Sequence, residues 1–356
     1  MPIVKLALLM AAASGIAYFS MPYVIQLAHR LGAVDRPDQR KVHSRIMPRL
    51  GGLGIFSAFF IVLLFGVQVS EPVLGIMIGG LVIFLVGMLD DMFQLPAVIK
   101  LLGQCLAASI AIHYGVVVSF VTNPFDGPID LGYFGIPLTF VWIVGITNAI
   151  NLIDGLDGLA AGVSAIAAAT MGYVAYTQGQ QAVFVASFIL VAAIAGFLPY
   201  NFHPARTFMG DGGSNFLGFI LGCLAIMGLT KSTAVISLFV PIVILGIPIF
   251  DTFFAIVRRI NNKAPIFMPD KSHLHHRLMA IGYGHRRTVL IIYAISGFFG
   301  MVAIWLNSIN RPGATLVLAV LLLCIVVGAE KIGMRTGGHS IELPKQSRTA
   351  PTSSQV

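Results

Sequence analysis

Residues 73–91 read VLGIMIGGLVIFLVGMLDD, an apolar run that carries no charge until it stops at two adjacent aspartates. Its length matches the roughly 20 residues that cross the hydrocarbon core of a bilayer as a helix, so Asp90 and Asp91 fall where the chain leaves the membrane. Working outward, similar runs bounded by charges or turn residues lie at about 4–28, 52–70, 98–119, 135–153, 158–177, 181–199, 214–230, 233–257, 288–306 and 313–330. The sequence therefore predicts an all-α polytopic integral membrane protein with about 11 transmembrane helices.

Composition agrees. Of 356 residues 57% are hydrophobic and only 10% charged, and the mean hydropathy of +0.90 excludes an ordinary soluble enzyme. Residues 1–334 are expected to form a single transmembrane catalytic domain, and 335–356, rich in Ser, Thr and Gly, a disordered cytoplasmic tail. The first run lacks a convincing cleavage site and is read as a retained helix. Residues 114–135, with extended-looking pieces and an Asn-Pro, Asp-Gly-Pro cluster, suit a small hairpin outside the membrane. Cys105, Cys223 and Cys324 all lie inside apolar runs without ligand or redox spacing.

The net charge of +8 reports topology. Of 22 lysines and arginines, all but Lys5, Lys231 and Arg311 fall in loops on one side, and cytoplasmic loops carry that excess. The N-terminus is thus expected outside and the C-terminus in the cytoplasm. No basic stripe interleaved with aromatics is present, which argues against nucleic acid. Asp90, Asp91, Asp154, Asp157, Asp211 and Asp251 all fall at the predicted cytoplasmic ends of helices. Acids at membrane depth are costly and mark function, so a cytoplasmic active-site cleft rich in carboxylates is predicted.

Four strings carry the chemistry. Asp90 and Asp91 suit a proton acceptor or a metal ligand, against a plain solvated helix end. Lys100, nine residues after Asp91, meets a phosphate or anchors topology. In TNAINLIDGLDGLAAG, Asn148 and Asn151 are three apart, as are Asp154 and Asp157; each pair shares a face if the segment is helical. In NFHPARTFMGDGGSNFLGF, Asp211 sits between glycines at the start of a helix. Such a terminus favours anionic oxygens, and hard oxygen ligands beside phosphate suit Mg2+, with a helix cap as the bland alternative. Arg206 contacts phosphate or simply holds its loop inside. His273, His275 and His276 lie in a loop with seven cations, suited to a nucleotide diphosphate or to anionic lipid; one helix cannot bring all three to one zinc. Asp251, seven residues before Arg258, lines the cleft or pairs internally.

Taken in order, LDD, NAINLIDGLDGL, FMGDGGSNFLGF and SHLHH, with HSRIMPRLGGLGIF before them, resemble the polyprenyl-phosphate N-acetylhexosamine-1-phosphate transferases of glycosyltransferase family 4. The resemblance covers roughly residues 45–285, and PDKSHLHHRL looks more like the undecaprenyl-phosphate N-acetylglucosamine-1-phosphate transferase branch, which initiates O-antigen, teichoic acid or related polymers, than the muramoyl-pentapeptide branch. It implies a bacterial inner-membrane enzyme moving an N-acetylhexosamine 1-phosphate, expected to be GlcNAc-1-phosphate, from the UDP-sugar to undecaprenyl phosphate with release of UMP. By the same resemblance Asp211 holds Mg2+, with Mn2+ able to substitute, and Asp90 and Asp91 position or deprotonate the lipid phosphate. Asn148, Asn151, Asp154 and Asp157 shape the nucleotide end, and His273, His275 and His276 bind the sugar-phosphate. Many relatives carry a further acid where this chain has Gln94, which puts a metal role there in doubt. A cation- or proton-coupled transporter is the alternative from another class; it calls for acids spread through membrane depth and for repeated halves. Large apolar surfaces leave a homodimer open.

Overall fold

A computed structural model describes residues 3–35, 46–123, 127–229, 239–263, 273–309 and 311–331. It is mostly helical. In chain order the helices are α1 (Ile3–Leu31), α2 (Gly52–Gly66), α3 (Glu71–Phe93), α4 (Ala97–His113), α5 (Gly135–Ile153), α6 (Leu159–Thr177) and α7 (Gln181–Asn201). They continue as α8 (Gly210–Leu229), α9 (Phe239–Ile244), α10 (Gly246–Asn261), α11 (Leu274–Ala280), α12 (His285–Ser308) and α13 (Arg311–Lys331). Among the described residues seven helices are long and apolar enough to cross a membrane, and three shorter apolar ones accompany them. The chain is a multi-pass α-helical membrane protein.

Three predicted runs are redrawn. The fourth ends at His113, and the expected hairpin follows it: β3 (Phe120–Asn123) pairs antiparallel with β4 (Gly127–Asp130), Phe120 opposite Asp130. The ninth divides at Leu245 into α9 and α10. Pro248 has no N–H to offer the Ile244 carbonyl four residues back, which favours the break at Leu245, although α1 and α7 run on through Pro22 and Pro199. The eighth starts earlier, at Gly210, and so takes Asp211 into its first turn. The tail from 335 lies outside the described residues, as do Lys271 and most of the basic loop before α11.

Helix α8 is the centre of the bundle, 89% of its apolar window being buried within the protein. It packs on α3, α5, α2 and α6. Phe56 and Phe60 of α2 and Phe84 of α3 meet Phe216 of α8, with Phe56 and Phe84 stacked at 4.1 Å between centroids. In lipid, close side-chain packing of this kind, rather than escape from water, holds helices together. A short ladder fixes the start of α8: β1 (Val34–Asp35) pairs with β2 (Met47–Pro48). Phe208 N–H then donates to the Pro48 carbonyl at 2.8 Å and Gly52 N–H to the Met209 carbonyl at 2.8 Å.

Candidate active site

The end of α3, the start of α4, the end of α5 and the start of α8 converge. Asp91, buried, accepts the backbone N–H groups of Asp211 and Gly212 at 2.9 Å each. These are unpaired first-turn donors of α8, so the anion expected at this terminus is the protein's own carboxylate. Arg49 pairs with the same carboxylate at 3.5 Å. Gly210, at φ +76°, makes the turn possible; a Cβ there would strike the Arg49 carbonyl oxygen and stand 2.5 Å from Asp91 Oδ2.

Asp90 serves differently. Its Oδ1 accepts Leu95 N–H at 2.7 Å, closing the C-terminus of α3, and its Oδ2 is ion-paired with Lys100. Lys100 Nζ also meets Asp211 Oδ2 at 3.1 Å, so one ammonium bridges two carboxylates. Asn151 Nδ2 donates to Asp211 Oδ1 at 3.1 Å and to Ser214 Oγ at 2.8 Å. Gln94, in the left-handed conformation at φ 53°, is the C-cap of α3.

Beneath this cluster lies a neutral one. Gln104 Nε2 donates to Asn148 Oδ1 at 3.2 Å and to Asn215 Oδ1 at 3.1 Å, while Asn148 returns a bond to Gln104 Oε1 at 2.7 Å. Asn215 Nδ2 donates to the Asp211 carbonyl at 2.7 Å. Asn148 and Asn151 therefore do share a face of α5, as predicted.

Asp154 and Asp157 do not share a helix face. α5 ends at Ile153 and α6 starts at Leu159, leaving both acids in a turn where successive residues point apart. Asp154 caps α5 beside the carboxylates, and burial pushes it up to about 8, with Asp211 and then Asp91 adding repulsion. Asp157 faces away toward His203, whose Nδ1 lies at 2.8 Å.

The histidine segment is anchored by Asp251, whose carboxylate meets His273 Nδ1 at 2.9 Å and accepts Leu274 N–H at 2.8 Å. His275 is buried with no hydrogen-bond partner for Nε2, against the DGLDG turn: a Cβ at Gly155 would stand 2.5 Å from that nitrogen. Burial, then His276, lowers its pKa to about 3, so it is neutral and can act by hydrogen bonding rather than by charge. His276 is exposed and its ring lies 4.2 Å from that of His275. Arg206 is exposed on the loop after α7; among the described residues Arg49 and Lys100, not Arg206, are the cations seated on the carboxylates. Arg49, Gln104, Ser214 and Asn215 were not singled out from the sequence as site residues.

The family model described as Glycosyl transferase family 4 matches residues 73–229, from α3 through α8. A Bacillus subtilis protein named probable undecaprenyl-phosphate N-acetylglucosaminyl 1-phosphate transferase is 47% identical over 88% of each chain. A decaprenyl-phosphate N-acetylglucosaminephosphotransferase of Mycobacterium tuberculosis is 39% identical over 82% of this chain and 80% of its own. An undecaprenyl-phosphate alpha-N-acetylglucosaminyl 1-phosphate transferase of Thermotoga maritima is 29% identical over 91% of this chain and 97% of its own.

Proposed function

The chain belongs to glycosyl transferase family 4, and from that membership we propose that it transfers N-acetylglucosamine 1-phosphate from UDP-N-acetylglucosamine to a polyprenyl phosphate. An oxygen of the lipid phosphate attacks the β-phosphorus, the bond from that phosphorus to the bridging oxygen breaks, and UMP leaves. The product is a diphosphate-linked lipid sugar that starts a cell-envelope polymer.

One observation carries this reading: Asp90, Lys100, Asn151 and Asp211, drawn from four helices, meet at one end of the bundle. Asp91 and Arg49 are spent on holding α8 in place, which leaves Asp90 and Lys100 to face the lipid phosphate. Lys100 offsets the repulsion between two anionic reactants and orients them for in-line attack. Asn151 fixes the rotamer of Asp211, Asp154 borders the nucleotide end, and the unpaired Nε2 of His275 supplies a neutral donor or acceptor for the sugar-phosphate.

The residues fit Mg2+, or Mn2+ in its place. Asp211 and Asp90 are hard oxygen donors already bridged by one cation, the Lys100 ammonium. Asp211, assisted by Asp90, would hold the ion, which when bound neutralises charge developing on the diphosphate. The acids gather at one end rather than through the depth of the bundle, and none of the relatives above is named as a transporter, so no second reading is retained.

The test is UMP release from UDP-N-acetylglucosamine by purified protein with undecaprenyl phosphate and magnesium. Wild type is expected to form UMP only with lipid and metal present. Asp211→Asn, checked for folding, is expected to lose about a hundredfold or more in kcat, the cost of removing one group that stabilises developing charge. No UMP from any UDP-N-acetylhexosamine with folded protein would overturn the assignment.

A further inference from the structure

Away from the Asp90, Lys100 and Asp211 cluster, the loop leaving α7 grips the turn between α5 and α6. Asp157 Oδ2, in that turn, accepts His203 Nδ1 at 2.8 Å and Ala205 N–H at 3.2 Å. A carboxylate only accepts, so Nδ1 is the ring nitrogen that carries the hydrogen. Among the described residues Oδ1 of the same carboxylate has no hydrogen-bond partner, and the side chain is 16% exposed, enough for a ligand to reach it. The imidazole is itself fixed. Its ring stacks on that of His285, the first residue of α12, at 4.1 Å between centroids and 20° between planes, and its backbone carbonyl accepts Arg286 Nε at 3.0 Å.

On the transferase reading above, with the DGLDG turn at the nucleotide end of the cleft, we propose that His203 is a positioning residue for nucleotide binding. It fixes the rotamer of Asp157 and so presents Oδ1 to a hydrogen-bond donor of the uridine, its imide N–H or a ribose hydroxyl. A hydrogen bond to an ionised acceptor is stronger than a neutral one, and it weakens steeply when misaligned. With both loop bonds on Oδ2, the carboxylate is aimed before the nucleotide arrives, and binding does not have to still a freely turning side chain. His203 acts through Asp157, away from the carboxylate and lysine cluster assigned to the reacting phosphates, so what it supplies is the same in the ground state and the transition state. Its loss therefore acts on KM for the UDP-sugar and not on kcat.

The backbone of the turn is tied down without His203. Gly158 N–H donates to Asn201 Oδ1 at 3.1 Å, and the Gly158 carbonyl accepts the Tyr293 hydroxyl of α12. Buried Asn201 also donates from Nδ2 to the Thr207 carbonyl at 3.1 Å, which joins the turn to the loop before α8. Variants at His203 are therefore expected to fold and to loosen the Asp157 side chain alone.

Two variants of the full-length protein separate hydrogen bonding from packing. His203→Phe keeps a ring to stack on His285 but has no donor, whereas His203→Asn sets an amide N–H where Nδ1 stood and removes the ring. Steady-state UMP release is measured with UDP-N-acetylglucosamine, undecaprenyl phosphate and magnesium, and binding of UMP alone by calorimetry. His203→Phe is expected to raise KM for the UDP-sugar and Kd for UMP together by about tenfold to a hundredfold, the range of a hydrogen bond to a charged group. Its kcat and its KM for the lipid should be nearly unchanged, and His203→Asn should recover most of the lost affinity. The double variant Asp157→Asn with His203→Phe should bind UMP no more weakly than Asp157→Asn alone. The proposal is overturned by equal UMP affinity in wild type and His203→Phe, by a loss in His203→Asn that His203→Phe escapes, by a fall in kcat at constant KM, or by additive losses in the double variant. A wild type that binds UMP but forms none would instead defeat the transferase reading, and the calorimetry still decides the role of His203. Should His203→Phe fail to fold by size exclusion, His203→Ala carries the same expectation.

Discussion

Arg49 shows how a single side chain can matter without touching a reacting atom. Its guanidinium holds Asp91, and Asp91 holds the first amides of α8, on which Asp211 sits. Arg49→Ala should shift Asp211 by a fraction of an ångström and lower kcat roughly tenfold to a hundredfold, with KM for the UDP-sugar nearly unchanged. Steady-state UMP release measures both, and a rise in KM alone would mean that Arg49 binds substrate instead. His275 makes a pH prediction. Free imidazole titrates near 6.5 and this one near 3, so as pH falls the unfolded chain takes the proton first. The stability associated with neutral His275 is therefore whole above about pH 6.5 and lost progressively toward about pH 3, by about 2 kcal/mol at pH 5. Thermal unfolding in detergent should show wild type losing more stability on acidification than His275→Asn; equal losses would contradict the burial argument. The sequence pointed to His275 but not to its neutrality, which comes from the turn packed over it. Arg49 belonged to a quoted motif, yet its partner lies across the fold, and no spacing along the chain could supply that.

At the scale of elements, the neutral network around Gln104 decides how α4 sits. Lys100 and Gln104 are one turn apart on that helix, so the bonds from Gln104 to Asn148 on α5 and Asn215 on α8 set where the Lys100 ammonium arrives. Gln104→Leu keeps the bulk but leaves the buried amide of Asn215 short of a partner, at about 1–3 kcal/mol, and takes one from the half-buried Asn148. Lower thermal stability is expected, together with lost activity that is not additive with Lys100→Ala: the double variant should be no slower than Lys100→Ala alone. Additive losses would separate the network from the lysine. Helices were the legible part of this sequence, since each apolar run contains helix and Asn148 and Asn151 share the face that their spacing foretold. Less legible were the places where backbone leaves helical geometry. Asp154 and Asp157 have helical spacing, yet Gly155 and Gly158 open the turn that sends the two acids to different partners. Pro248 likewise favours the break in a run that hydropathy alone reads as continuous.

For the whole molecule, the site imposes a parity. It uses the C-terminal ends of α3 and α5 and the N-terminal ends of α4 and α8, which share one face only if these helices alternate in direction. The β3–β4 hairpin joins the other ends of α4 and α5 and so belongs to the opposite face. By the rule that cytoplasmic loops carry the lysine and arginine excess, this face is expected in the cytoplasm and the hairpin outside, which labelling tests. Tyr133, 92% exposed just after the hairpin, and Asn262, exposed at the end of α10, lie on the two opposite faces. In a variant lacking the three native cysteines, Tyr133→Cys should react with a membrane-impermeant maleimide in intact spheroplasts. Asn262→Cys should react only after the membrane is opened. The reverse pattern would invert the protein and strand its site from cytoplasmic substrate. Labelling of both positions from one side would break the alternation itself, and with it the reason that four carboxylate- and lysine-bearing helix ends can meet.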